Sequence, residues 1–405
     1  MTDREKAAGA SPDPIAAPGE IAAASATDTG RVRQNNEDYV IVGDLDADQL
    51  VPPGDPVASH APSRGLLFVV CDGMGGVAGG EIASELAAQA MWAAMRDAAP
   101  TRDVSIFARH LRRGVRAANQ LVHREAGERG PRGMGTTLSA AGTAGSTLVI
   151  AHVGDSRVYV ERCGVLSQVT RDQSVVSALT SAGRMSEHEA AMSPSRGSIL
   201  QALGVRDDVE VSLSLAELRR GDRVLLCSDG LHGVVSKQAI RTALGSVGDP
   251  RDVKAAASEL ISIAMEAGAP DNVSAIVAHF DGEGLEPPAG EANVPFVELD
   301  PFAEGDRALS ETSRVARRLA ARAGLRDDEV GTSDIVATRQ RLVWSSGEDT
   351  TSASPAQAKP TTIDAPPPGP ATDALAARSR LGLATWIAAA LAAAVVAFVL
   401  WGVTF

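Results

Sequence analysis

The chain has 405 residues, 44% hydrophobic and 22% charged, enough apolar material for one large or two ordinary domains with tails. Its 51 acidic against 38 basic residues give a formal net charge of −13, which argues against a nucleic-acid-binding surface and is compatible with divalent cations. Three cysteines, Cys71, Cys163 and Cys227, are too few and too scattered for a disulfide framework or a zinc site, and no apolar leader opens the chain, so the main domain is expected in a reducing cytoplasm.

Residues 1–24 are Ala, Pro, Gly and Asp without an apolar period and read as a disordered segment. Residues 25–282 alternate short β-like runs with helical stretches and form the expected globular domain. GLLFVVCD (65–72) is short, apolar and β-branched, the pattern of a buried strand; GDRVLLCSD (221–229) and NVSAIVAHF (272–280) share it. Between them, 80–99 and 104–126 carry apolar residues at helical spacing, and 158–170 reads as a hairpin turning at Cys163-Gly164.

Beyond this domain, residues 283–380 read as linker, Gly/Pro/Glu-rich at first and Pro/Ser/Thr-rich at 346–373. An Arg-rich stretch at 309–324 has helical spacing; its Arg314, Arg317, Arg318 and Arg322 suit a solvated face or acidic lipid heads. Residues 381–405 contain no charge, and about 20 apolar residues suffice to cross a bilayer. Trp386 and Trp401 suit the two interfaces, while Arg378 and Arg380 just before the span place the large N-terminal part on the cytoplasmic side. The expectation is a single-pass protein of the cell membrane with its globular domain in the cytoplasm.

Three acids stand at the ends of apolar runs. Asp72 closes FVVCD and is followed by Gly73, Asp229 closes LLCSD and is followed by Gly230, and Asp271 precedes the run from Val273. Rigid carboxylates beside close-approaching backbone are what a hard divalent ion requires. Asp-Gly after a strand is equally an ordinary turn, and spacing alone does not bring the three together.

Six blocks in order carry a further signal: RQNNED (33–38), CDGMGG (71–76), GMGTTL (133–138), HVGDSRVY (152–159), LLCSDGL (225–231) and PDNVS (270–274). They resemble the signature blocks of the PPM family, the type 2C Ser/Thr protein phosphatases, in its bacterial form. The resemblance covers residues 26 to 282 and implies an α+β fold: a four-layer α-β-β-α sandwich of two antiparallel sheets flanked by helices, here with a C-terminal transmembrane helix added.

Carried across residue by residue, the resemblance makes Asp72 the acid bridging two Mn²⁺ or Mg²⁺ ions. The Gly73 carbonyl, Asp229 and Asp271 become further ligands, and Glu37 and Asp38 hold the waters of those ions. It makes Arg33 the phosphate-gripping arginine and Asp155 the acid for a third ion, although Asp155 also suits an Asx turn. The implied chemistry is direct hydrolysis of phosphoserine and phosphothreonine by a metal-bridging hydroxide. The implied partners are phosphorylated proteins and the bacterial Ser/Thr kinases whose action is opposed; a non-catalytic phosphoprotein-binding scaffold is the alternative. No cysteine nucleophile is needed, and Cys71 and Cys227 read as apolar filler of strands.

Two departures stand out. Met74 occupies the position where many eukaryotic relatives have a proton-donating histidine. Residues 171–204 resemble the family's mobile flap, but its usual His-Pro pair reads Ser193-Pro194, while Arg196 is kept. His152, His188 and His232 are isolated in sequence and carry no expected role.

Overall fold

The structure, a computed structural model, describes residues 19–299 apart from residues 61, 76–78, 129, 132, 291 and 292. The first half of the chain supplies β1 (Glu20–Asp28), β2 (Asp38–Asp44), β3 (Gln49–Val51), β4 (Pro56–His60) and β5 (Leu66–Met74). Helices α1 (Gly79–Asp97) and α2 (Val104–Glu128) follow, then β6 (Gly135–Thr136), β7 (Leu138–Ala144), β8 (Thr147–Val153), β9 (Arg157–Arg162) and β10 (Val165–Gln168). Two short helices, α3 (Val175–Ser181) and α4 (Glu187–Met192), lie within 171–204. The remainder is β11 (Ser212–Glu217), β12 (Asp222–Cys227), α5 (Asp229–His232), α6 (Lys237–Gly245), α7 (Val253–Glu266), β13 (Val273–Asp281) and β14 (Phe296–Leu299).

The strands form two sheets, both built from antiparallel pairs. A six-stranded sheet runs β10-β9-β12-β13-β1-β4, and an eight-stranded sheet runs β14-β11-β8-β7-β5-β2-β3 with β6 paired to β5. Alternation sends successive side chains to opposite faces, so each central strand serves two cores. Along β5, Leu67, Val69 and Cys71 pack with Met91, Phe107 and Leu111 of α1 and α2. Leu66, Phe68 and Val70 face the other sheet, against Val224, Leu226, Ile276 and Phe280. On the far side, Leu225, Val277 and Tyr159 pack with Ile240, Leu244, Leu260 and Ala264 of α6 and α7. Three apolar layers thus lie between four structural ones, helices, sheet, sheet and helices. That layering explains why the core strands read as unbroken apolar runs.

Both expected helices and the hairpin are present, the latter turning at Cys163 and Gly164 with φ of 50° and 83°. The ordered body is wider than 25–282. Strand β1 begins at Glu20, paired with β13 and β4 along EIAAASATD, a run of small residues whose burial comes from its neighbours rather than from its own hydrophobicity. At the other end Phe296–Leu299 pairs with β11 inside the expected linker, a strand of four residues framed by Pro, Gly and Glu. Among the described residues no helix is long and apolar enough to cross a membrane. Residues 1–18 of the expected segment 1–24, the Arg-rich stretch 309–324 and the apolar stretch 381–405 lie outside the described residues.

Candidate active site

The acids gather at one end of the cleft between the sheets. Strands β2 and β5 pair so that Asp38 stands directly opposite Asp72. Both continue the inward-facing rows, Val42-Val40-Asp38 and Phe68-Val70-Asp72. Directly opposed side chains have Cβ atoms about 4.5–5.5 Å apart, and two like charges there destabilise a sheet. From the other sheet, β12 delivers Ser228 and Asp229 at its end, and Asp271 and Asn272 lead into β13. Ser228 donates to Asp38 Oδ2 at 2.7 Å and accepts from the Ser274 amide at 3.0 Å, which ties the two sheets together at the site.

The charges are left largely uncompensated. Burial is the main cause holding the Asp72 carboxyl well above the usual carboxylate range, and the neighbouring Asp38, Asp229, Asp155 and Asp271 push the same way. Asp38 is pushed up to about 7 by burial, which its bonds to Ser228 and Ser274 offset only in part, and by Asp229 and Asp271. Asp229 is raised by burial and by Asp271, and lies within hydrogen-bonding reach of Asp72. Asp155, 7% exposed in the turn between β8 and β9, is raised to about 7 by burial and by Asp229 and Asp172.

Arg33 stands half exposed at the rim, and its Nη2 donates to Asp271 Oδ2 at 2.8 Å. That bond is the main cause raising its already high pKa. Glu37 sits beside it, raised by burial and lowered by Arg33. The Asp72 backbone is fixed by Thr137, whose Oγ1 accepts from the Asp72 amide at 3.0 Å and whose amide donates to the Asp72 carbonyl at 2.9 Å.

Every sequence-derived candidate therefore reaches this end of the molecule: Arg33, Glu37, Asp38, Asp72, Gly73, Asp155, Asp229 and Asp271. Other residues without an expected role join them. Ser228, Ser274 and Thr137 hold the acids, and only their place inside the signature blocks pointed to them. His232 donates from Nε2 to the Asp155 carbonyl at 3.0 Å, one helical turn after Asp229. Cys71 and Cys227 are fully buried, and burial pushes the Cys227 thiol up to about 12, which suits filler and not a nucleophile. In the 171–204 segment the ends are clasped by pairing of Ser174 with Ile199 and of Thr136 with Leu203.

Do these residues fit divalent cations? The donor set is oxygen throughout, as hard cations require. Asp38 Oδ1 is buried without a hydrogen-bond partner. Gly73 lies so close to the carbonyls of Gly80 and Glu37 that a Cβ would collide with both, so only glycine fits at this strand end. Among the described residues no three Asp, Glu, His or Cys side chains form a ready-made group around a single point. The acids share one electrostatic environment, and positive charge placed among them relieves it. The fit is good.

The comparisons agree with this geometry. A family model described as protein phosphatase 2C matches residues 48–273. The serine/threonine protein phosphatase PstP of Mycobacterium tuberculosis is 39% identical over 257 residues, 63% of this chain. That match spans only 44% of PstP's own length. The serine/threonine phosphatase Stp of Listeria monocytogenes is 34% identical over 256 residues, 63% of this chain and 94% of its own. Among solved structures, the catalytic domain of PstP in complex with two manganese ions is 36% identical, with a TM-score of 0.53, covering 65% of this chain and all of that one. Its ions match the Mn²⁺ or Mg²⁺ that the acid cluster suits. Two antiparallel sheets flanked by helices, an acid cluster between them and a family match across more than half of the chain lead to one conclusion: this chain belongs to the protein phosphatase 2C family.

Proposed function

We propose that the chain is a metal-dependent Ser/Thr protein phosphatase that acts on phosphorylated proteins at the cytoplasmic face of the membrane, opposing bacterial Ser/Thr kinases. The observation that carries this reading is the cluster of buried Asp38 with half-buried Asp72, Asp229 and Asp271, and Arg33 at its rim. The names of the relatives support the substrate class, and the uncharged stretch 381–405 supports the tether.

Asp72, Asp229, Asp271 and the Gly73 carbonyl would hold two cations, with Asp38 and Glu37 accepting from their waters and Asp155 available to a third. When bound, such a pair brings a shared water's pKa near neutrality, so that hydroxide is available, and offsets charge on the phosphoryl oxygens. Arg33 offers its planar fork to two of those oxygens, geometry a lysine does not reproduce. Ser228 and Thr137 keep Asp38 and Asp72 in place without reorganisation during turnover.

The test is phosphate release from a phosphothreonine peptide by the full chain with and without Mn²⁺, beside Asp229→Asn. Mn²⁺-dependent release that the substitution abolishes is expected. A folded chain that binds Mn²⁺ by calorimetry yet hydrolyses neither phosphopeptide nor p-nitrophenyl phosphate would overturn the reading in favour of a binding scaffold.

A further inference from the structure

The segment that carries Arg33 lies outside the sheets. Residues 29–37 connect β1 to β2, and Arg31 to Asn35 are all exposed. A guanidinium that must meet two oxygens of one phosphoryl group nevertheless needs a defined position.

Asn272 supplies the anchor. It is 4% exposed, and both polar groups of its side chain are used on this one segment. Its Oδ1 accepts from the Glu37 amide at 2.8 Å, while its Nδ2 donates to the Thr29 and Asn35 carbonyls, both at 2.9 Å. Those partners fix the amide's orientation, because a flipped amide would set its N–H groups against the Glu37 N–H and its oxygen against two carbonyls. One side chain therefore grips the segment near both ends. The neighbouring backbone adds to this: the Arg31 amide donates to the Ala269 carbonyl at 2.9 Å, and Arg31 Nε donates to the Met265 carbonyl at 2.7 Å. Gly30, at φ 79°, passes so close to the Asp271 carbonyl that no side chain would fit.

The two adjacent residues divide the work. Asp271 pairs with the guanidinium of Arg33, and Asn272 holds the backbone on which Arg33 is carried. The geometry points to Asn272 as a positioning residue that sets Arg33 for the substrate's phosphate, acting through the 29–37 backbone. This inference rests on reading Arg33 as the phosphate ligand.

The variants Asn272→Ala, Arg33→Ala and their combination, made in the full chain, test it. Three quantities are read: KM for a phosphothreonine peptide, the inhibition constant of inorganic phosphate, and the Mn²⁺ dissociation constant by calorimetry. Asn272→Ala is expected to raise KM and the phosphate inhibition constant by about 10- to 100-fold, the cost of a misplaced contact. Mn²⁺ affinity is expected to stay within about threefold, since no metal-holding acid is removed. In the Arg33→Ala background the Asn272 substitution should add little, because its effect passes through a group already gone. Amide hydrogen exchange across 29–37 should accelerate in Asn272→Ala.

An unchanged phosphate inhibition constant in Asn272→Ala, or an equal effect with and without Arg33, would overturn the inference. If Arg33→Ala alone leaves both constants unmoved, the reading of Arg33 falls and this inference with it. Should Asn272→Ala not fold, Asn272→Asp decides the matter. It keeps the acceptor for Glu37 but faces two carbonyls with a carboxylate oxygen, and the same rise in the phosphate constant is expected.

Discussion

Strand β12 has an aspartate at each end, and the two ends behave in opposite ways. At its start, Asp222 accepts from Arg162 Nε at 2.8 Å and Nη2 at 2.7 Å, and from the Arg219 amide at 2.8 Å. The two side chains are 2% and 1% exposed. Just past its other end, Asp229 meets Asp72, Asp38 and Asp271, and the rim arginine is shared with Asp271. Burial raises the pKa of both acids. What separates them is the partner: a matched buried cation makes Asp222 part of the scaffold, whereas surplus carboxylates make the Asp229 end a place that positive charge would stabilise.

Substituting the two ends should therefore move stability and activity in opposite directions, and this is the largest effect expected. Asp229→Asn should reduce phosphate release by at least about 10³-fold, the scale of losing a central electrostatic group. It should also raise the melting temperature in EDTA, because one of several crowded like charges is removed. Asp222→Asn should cost about 3–5 kcal/mol, the penalty for leaving Arg162 buried and unpaired, while kcat of the folded fraction holds. Calorimetry in EDTA beside a phosphate-release assay reads both. Equal destabilisation by the two substitutions would remove the contrast between the ends.

Next in size is a pH effect centred on the Asp229 end, where two acids are raised. Burial pushes the Asp38 and Asp155 carboxyls up to about 7, above the ordinary carboxylate value. A raised folded-state pKa contributes stability that is present at low pH and lost as pH rises through about 7, because the unfolded chain releases those protons more readily. The protein in EDTA should thus lose stability from about pH 4 to 7. Cations displace the same protons, so the rise in melting temperature produced by Mn²⁺ should be small at pH 5 and grow through pH 7. A Mn²⁺-induced rise that stays flat from pH 5 to 8 would contradict a site made of these acids.

The contrast also marks how far the sequence could be read. Long apolar runs such as 65–72 and the amphipathic stretches of α1 and α2 declared themselves, because two covered faces leave no polar alternation to confuse them. Strand β1 did not: its alanines are buried by β4 and by β13, the latter more than 200 residues away in sequence. The four residues of β14 are too few for any period. At the site, strand-end aspartates could be seen singly, and the family blocks assigned them roles. That Ser228 reaches across from the other sheet to Asp38 depends on the register of both sheets, which no local pattern encodes. Asn272 lay inside the block PDNVS, yet its three partners are spread over 29–37 and only folding brings them together.

The smallest effect lies at the scaffold end, in the turn that follows Arg162. Cys163 and Gly164 form a two-residue hairpin loop with φ of 50° and 83°, and the Gly164 amide donates to Glu161 Oε1 at 2.7 Å. Positive φ at both central residues is the turn that Asn-Gly adopts most readily, and a cysteine there bears steric strain from its Cβ. Cys163→Asn should therefore stabilise the protein by roughly 0.5–1 kcal/mol, and Cys163→Val, β-branched in the same conformation, should destabilise it by about 1 kcal/mol or more. Urea midpoints at constant m-value measure both. Because Cys163 is exposed and the turn belongs to the paired end of the β9–β12 ladder, kcat and the response to Mn²⁺ should match the parent chain. A turn substitution that altered Mn²⁺ affinity would show that the two ends of β12 are coupled, and that strand position alone does not divide scaffold from site.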